Sequence, residues 1–175
     1  MGLPVQHFIA ATNINDVVPI YLQSGHYQPK PSLQTISNAM DVGDPSNFVR
    51  IQELYGQRWE KITDILKGYR FTDDETRQAI KEIYHQFGYI ADPHGAVGYL
   101  GAVAFQEQYP EISTAIFLET AHPAKFATDI EPEIETAVPV PERLQAALQG
   151  TKESELISNH YKDLKDWLGA HPGLR

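Results

Sequence analysis

The chain has 175 residues, 42% of them hydrophobic and 21% charged, which is typical of a globular protein of one large or two small domains. Fourteen Lys and Arg residues against 23 Asp and Glu residues leave a formal charge of −9, which argues against partners such as nucleic acid or an anionic membrane. The absence of cysteine excludes disulfide scaffolds, thiolate metal sites and cysteine nucleophiles.

No apolar run reaches the roughly 20 residues that a membrane-spanning helix needs, and the longest small-or-apolar stretch covers 95–105. The N-terminus lacks the positive region and apolar core of a secretory signal. We therefore expect a cytoplasmic protein, with 1–175 as one domain.

Two short apolar runs predict strands of a parallel sheet. The first, HFIAAT, covers 7–12, and the second, STAIFLET, covers 113–120. Each is followed by polar residues and then by a helical pattern, as in a β-α unit. The fold class predicted is therefore α/β, with parallel strands flanked by helices.

Three helices are predicted between these strands. The first covers 45–55 after an Asp-Pro start signal, and the second covers 57–67. The third begins with a capping box formed by Thr72 and Glu75, and Gly88 ends it.

A fourth helix is predicted to begin at Asp92-Pro93 and to carry three glycines at intervals of three, at Gly95, Gly98 and Gly101. Because glycine inside a helix costs roughly 0.5–1 kcal/mol relative to alanine, three of them suggest that a backbone or a ligand comes very close. The sequence leaves packing and binding open as explanations.

Towards the C-terminus, the acidic and proline-interrupted segment 129–140 predicts a surface loop. A short helix is predicted over 141–148, and a last helix over 152–168.

Candidate site residues follow the two predicted strands, because ligands of parallel sheets bind at the carboxyl ends of strands. Asn13 and Asn15 follow the first strand, but such residues are more often caps than ligands. Thr120 ends the second strand, where its hydroxyl either caps a turn or faces a cleft. His122 is interpreted as a hydrogen-bonded turn residue rather than a general base. No metal site is predicted, because no pair of histidines has ligand spacing.

The segment 31–50 is dense in small polar residues and provides candidates for binding an anionic substrate at the start of the following helix. A solvated connection with ordinary caps explains the same residues equally well. The candidates are Ser37, Asn38, Asp41, Asn47 and Arg50.

Several longer segments together resemble one enzyme family. They read HFIAATNINDVVPIYL from His7, TISNAMDVGDPSNFVRI from Thr35, FTDDET from Phe71, YIADPHGAVGYL from Tyr89 and FLETAHPAKF from Phe117. Over nearly its whole length the chain resembles the C-terminal part of threonine synthase, a pyridoxal-phosphate enzyme of the tryptophan synthase β and serine dehydratase fold group. The resemblance implies a three-layer α/β fold of which this chain supplies an incomplete, C-terminal portion.

The family reaction converts O-phospho-L-homoserine and water to L-threonine and phosphate, with pyridoxal phosphate as an electron sink. The resemblance implies that the Schiff-base lysine and the glycine-rich phosphate loop belong to segments preceding Met1. This chain then holds no catalytic residue and should be inactive alone.

Individual roles also follow from the resemblance. Thr120 matches the family hydroxyl that hydrogen-bonds the pyridine nitrogen of the cofactor, which makes it the cofactor-binding candidate. Ser37, Asn38 and Asp41 match a segment that resembles the wall of the active site. Two further residues, Asp92 and His94, match a family signature.

Two other functions stay open at this point. One is a non-catalytic α/β binding or regulatory module, and the other is a dehydratase of the same fold. If strands lack their partners, the open edges and the uncovered apolar face also predict self-association.

Overall fold

The computed structural model describes residues 4–152 and 154–171, which form two compact units divided after Pro139. The first unit contains β1 (Phe8–Thr12), α1 (Val17–Ser24), α2 (Val49–Leu54), α3 (Trp59–Ile65), β2 (Leu66–Arg70), α4 (Asp73–Phe87), α5 (Pro93–Gln108) and α6 (Ala127–Ile134). The second unit contains α7 (Glu142–Leu148) and α8 (Tyr161–Ala170). Among the described helices, none has the length and apolar character that crossing a membrane requires.

The two strands are parallel, with Phe8 opposite Leu66 and Thr12 opposite Arg70. The predicted first strand and the α/β class are thus confirmed. The predicted close approach of the α5 glycines is also confirmed, because a Cβ added at Gly101 would lie 2.7 Å from Cβ of Ala11 in β1. Glycine therefore lets α5 pack directly on the sheet.

Helix α4 begins and ends where the sequence predicts. The Thr72 side chain accepts a hydrogen bond from the Glu75 amide, the Glu75 carboxylate accepts one from the Thr72 amide, and Gly88 adopts a left-handed conformation at the C-terminus. The inner face of α4 carries Ile80 and Ile83, which are buried in the same core cluster as the apolar face of α6. Burying one such side chain contributes about 1.5–3 kcal/mol.

The second predicted helix, 57–67, is wrong at its C-terminal end. Helix α3 ends at Ile65, and the following residues form β2. The apolar spacing of this segment fits a helix, but pairing with β1, a contact distant in sequence, makes 66–70 a strand. The first predicted helix also begins later than expected, at Val49, and Phe48 instead of Asp44 stands at its N-terminus.

The predicted second strand, 113–120, is wrong as a strand. It is extended, but the described residues offer it no hydrogen-bonded neighbouring strand. Its side chains alternate in exposure, and Ile116 and Leu118 are 85% and 75% exposed. An extended segment becomes a strand only when a neighbouring strand forms hydrogen bonds with its backbone.

The predicted loop 129–140 is also wrong in its first half, which belongs to α6. This helix contains Pro132, yet Ile130 and Ile134 are buried against α4, and this packing outweighs the lost backbone hydrogen bond. In the second unit α7 confirms the predicted helix 141–148, whereas the last helix, α8, begins at Tyr161 instead of residue 152.

Candidate functional site

Two polar clusters lie in the interior of the first unit. We call Asn13, Asn15, Thr35, Ser37 and Asp41 the asparagine network, and Asp92 and Glu119 the carboxyl pair. The first follows the carboxyl end of β1, and the second joins the start of α5 to the extended segment 113–120.

Asn13 is the centre of the asparagine network and is 1% exposed. Its Nδ2 atom lies 2.8 Å from Oγ1 of Thr35 and 2.9 Å from Oδ1 of Asp41. Its Oδ1 atom accepts hydrogen bonds of 2.9 Å from both the amide and the side chain of Asn15. Both asparagines thus bind neighbouring chain atoms, although neither is the helix cap that the sequence favours, because Asp16 stands at the N-terminus of α1.

The segment around Ser37 is fastened to this network. Asp41 accepts hydrogen bonds from the Thr35 hydroxyl at 2.7 Å and from the Thr35 amide at 3.0 Å. The Ser37 side chain is fully buried, with Oγ 3.1 Å from Nδ2 of Asn13. These bonds hold the loop 31–41 against the end of β1 and leave few polar atoms without a partner.

His94 links the carboxyl pair to Ala39, a residue of the loop 31–41 that the asparagine network holds in place. The amide of Ala39 donates to Nε2 of His94 at 3.0 Å. Because Nε2 accepts this bond, the ring proton is on Nδ1, which lies 2.6 Å from Oδ1 of Asp92. His94 is therefore a neutral imidazole that donates to Asp92 and orients its carboxylate.

The carboxyl pair differs from the rest of the site because both side chains have an unsatisfied oxygen. Oδ2 of Asp92 and Oε1 of Glu119 are buried without a hydrogen-bond partner among the described residues. Burial and the neighbouring Asp92 carboxylate raise the pKa of Glu119 to about 8. Burial works against ionisation of Asp92 too, but bonds from His94 and Glu119 lower its pKa to about 2. Sequence reasoning missed Glu119, and the available signal was an ionisable residue near the end of an apolar run.

Thr120 directly follows Glu119 in the sequence and is exposed. A shallow, open cleft of about 400 Å³ is lined by the two residues that follow it, Ala121 and His122, and by Tyr89, but not by Thr120 itself. Nδ1 of His122 accepts the Ala124 amide at 3.1 Å, so the prediction of a turn histidine is confirmed. Thr120 is exposed at the residue level, and a neutral hydroxyl can donate to an uncharged ring nitrogen.

The remaining candidates do not form one compact site. Asn38, Asn47 and Arg50 are exposed, whereas Ser37 and Asp41 direct their side chains into the asparagine network. Within the described residues, no three His, Asp or Glu side chains are grouped so that they could hold a metal ion.

Comparison with known proteins places these features in a wider context. Residues 95–167 match the family described as threonine synthase, C-terminal. The chain is 39% identical over 168 residues to threonine synthase from Haemophilus influenzae and 40% identical over 144 residues to that from Escherichia coli. These alignments cover 96% and 82% of this chain, but 38% and 32% of the relatives.

Solved structures give the same result. The crystal structure of threonine synthase from Escherichia coli matches with a TM-score of 0.83 and 34% identity, covering 97% of this chain and 39% of that one. The structure of pyridoxal-phosphate-bound threonine synthase from Brucella melitensis matches with a TM-score of 0.81 and 28% identity, covering 98% and 41%. The chain therefore has the fold of about two fifths of these enzymes.

Proposed function

We propose that this chain, a homologue of the C-terminal part of threonine synthases, forms the C-terminal portion of a pyridoxal-phosphate-dependent lyase. The reaction proposed is the conversion of O-phospho-L-homoserine and water to L-threonine and phosphate. The observation that carries the proposal is the structural match of 97% of the chain to the Escherichia coli enzyme. A cytoplasmic location is part of the proposal.

The residues present fit the cofactor at one point. Thr120 is exposed and directly precedes Ala121, which lines the cleft, and its hydroxyl would donate a hydrogen bond to the pyridine nitrogen. A neutral hydroxyl does not hold that nitrogen protonated, in contrast to a carboxylate. When bound, the cofactor supplies an electron sink for negative charge on the substrate carbons.

The exposed candidates Asn38, Asn47 and Arg50 would serve the substrate. Arg50 carries the positive charge that a phosphate group requires, and Asn38 and Asn47 have amides that donate hydrogen bonds. Ser37 and Asp41 would act by holding the loop in place, since their side chains bind Asn13.

The chain alone is proposed to be inactive, because the resemblance assigns the Schiff-base lysine to a segment preceding Met1. A direct test is a chimera in which this chain replaces the matching C-terminal part of the Haemophilus influenzae enzyme. We expect the chimera to release phosphate and form threonine from O-phospho-L-homoserine, and the 175-residue chain with the same cofactor to release none.

The Thr120 variants of the chimera provide the matched control. Thr120→Val removes the hydroxyl at nearly constant volume and is expected to lower kcat about tenfold, the value of one hydrogen bond of about 1.4 kcal/mol. Thr120→Ser keeps the hydroxyl and should retain most of the activity. A folded chimera that binds pyridoxal phosphate but forms no threonine contradicts the proposal. Formation of 2-oxobutanoate from threonine would identify a dehydratase instead.

Self-association of the isolated chain is proposed from its exposed apolar side chains. Ile116 and Leu118 are 85% and 75% exposed on one extended segment, and unpaired strand edges bind to one another. Sedimentation velocity should show concentration-dependent oligomers that the Leu118→Lys variant weakens. A monomer at all concentrations would contradict this expectation.

A further inference from the structure

The carboxyl pair is built from one fully buried residue and one residue at the end of the extended segment. Asp92 is 0% exposed, and its Oδ1 accepts the amide of His94 at 2.8 Å and lies 2.6 Å from the ring Nδ1. Its other oxygen, Oδ2, has no partner among the described residues, and the same is true of Oε1 of Glu119. Two adjacent carboxyl groups thus each have one unpaired buried oxygen, which is costly unless they pair with each other.

The backbone of α5 makes room for Glu119. A Cβ added at Gly95 would lie 2.0 Å from Oε1 of Glu119, so only glycine leaves space for this carboxyl group. At the next glycine along, Gly98, such an atom would lie 3.3 Å from Cβ of Phe117. The extended segment therefore lies along the glycine face of α5, and the carboxyl of Glu119 is seated at the first turn of the helix.

Two ionised carboxylates can only accept hydrogen bonds and repel each other. One proton on Glu119 resolves the conflict, because its hydroxyl can then donate to the free oxygen of Asp92. Asp92 is the partner that stays ionised, since the amide and ring of His94 already donate to it.

We infer that Asp92 and Glu119 share one proton and that this bond fastens the segment carrying Thr120 to the start of α5. Glu119 is thus a positioning residue for Thr120. The positioning role rests on the proposed function, whereas the sharing of the proton does not.

The groups that face the pair are consistent with this arrangement. His94 is neutral and donates to Asp92, and Tyr89 approaches from the segment before α5. Burial raises the pKa of Tyr89, and so do the negative charges of Glu119, which is ionised in the alkaline range where tyrosine titrates, and of Asp92, so the Tyr89 side chain is uncharged in the neutral range. Neither neighbour supplies a positive charge that would allow both carboxyl groups to ionise.

Carbon-13 NMR of the protein labelled at the glutamate carboxyl carbon tests the shared proton directly, without cofactor or substrate. One resonance, identified by its loss in Glu119→Gln, should titrate with a midpoint near pH 8. Glu119→Ala provides a second assignment if Glu119→Gln does not fold. If the Glu119 resonance completes its titration below about pH 6, as an ordinary glutamate does, the inference is wrong.

The unfolding free energy gives a second readout with a definite sign. The folded-state pKa of Glu119 lies above its ordinary value of 4.5, so the folded protein binds a proton that the unfolded chain has lost. Stability from this group is therefore present below about pH 4.5 and is lost as the pH rises to about 8. Glu119→Gln, whose amide donates at every pH, should remove this fall, and an unchanged slope would overturn the inference.

Thr120→Val separates the inference from the proposed function. It removes the hydroxyl proposed for the cofactor but leaves the carboxyl pair intact, so the Glu119 titration should be unchanged. If the chimera with the original Thr120 is inactive but its Glu119 still titrates near pH 8, the proposed function is refuted and the shared proton is not.

Discussion

The asparagine network and the carboxyl pair are both buried and polar, yet they are satisfied in different ways. In the network, amides and a hydroxyl supply donors to the side-chain oxygens of Asn13, Asn15 and Asp41, and Asp41 accepts two bonds from Thr35. In the pair, two acceptors face each other and a proton has to complete the bond. A donor-rich cluster needs no extra proton to hold its loop, whereas the contact within an acceptor-only cluster depends on the proton that completes it.

The largest effect in this comparison is expected for Asn13→Ala. The substitution leaves the half-buried Asp41 carboxylate and the buried Asn15 side chain without a shared partner, which should reduce the free energy of unfolding by about 3 kcal/mol. Urea denaturation measures the loss. Asn38→Ala, at an exposed position of the same loop, should change stability by no more than about 0.5 kcal/mol. Equal effects of the two variants would show that the network does not hold the loop.

The two clusters also differ in how far the sequence could predict them. Local signals identified the capping box of Thr72 and Glu75 and the start of α5 at Asp92, because a cap depends on residues within one turn. The sequence predicts Asn13 directly after a strand, as the structure shows, but its partners at 35–41 are distant in sequence, and nothing local specifies them.

The elements that the sequence did not predict depend on long-range contacts. Residues 66–70 form a strand because β1 lies beside them, and α6 tolerates Pro132 because α4 buries its apolar face. The role of Glu119 required knowing that Gly95 faces it across the fold. The glycine spacing indicated a close approach but not which group approached.

Gly101→Ala tests the rigid end of the α5 glycine face and ranks second in expected effect. The new Cβ would lie 2.7 Å from Cβ of Ala11, part of β1, which cannot move without disturbing the sheet. Overpacking costs about 1–3 kcal/mol, and the better helix propensity of alanine returns less than about 1 kcal/mol. Thermal or urea unfolding should show a net loss of about 1–2 kcal/mol, and a gain in stability would contradict the close packing of α5 on β1.

Gly95→Ala should have the smallest effect on stability and the clearest effect on titration. Here the obstructing atom is the end of a flexible side chain, so the carboxyl of Glu119 can swing away, and the net change should stay below about 1 kcal/mol. Outside the pair, Glu119 becomes solvated, and its NMR titration should move down towards the ordinary glutamate value of about 4.3. Gly101→Ala provides the matched control, because it adds the same methyl group to the same helix and should leave the Glu119 titration unchanged. A Glu119 midpoint that stays near 8 in Gly95→Ala would mean that the space left by this glycine does not seat the carboxyl, and the high pKa would then need a source other than pairing with Asp92.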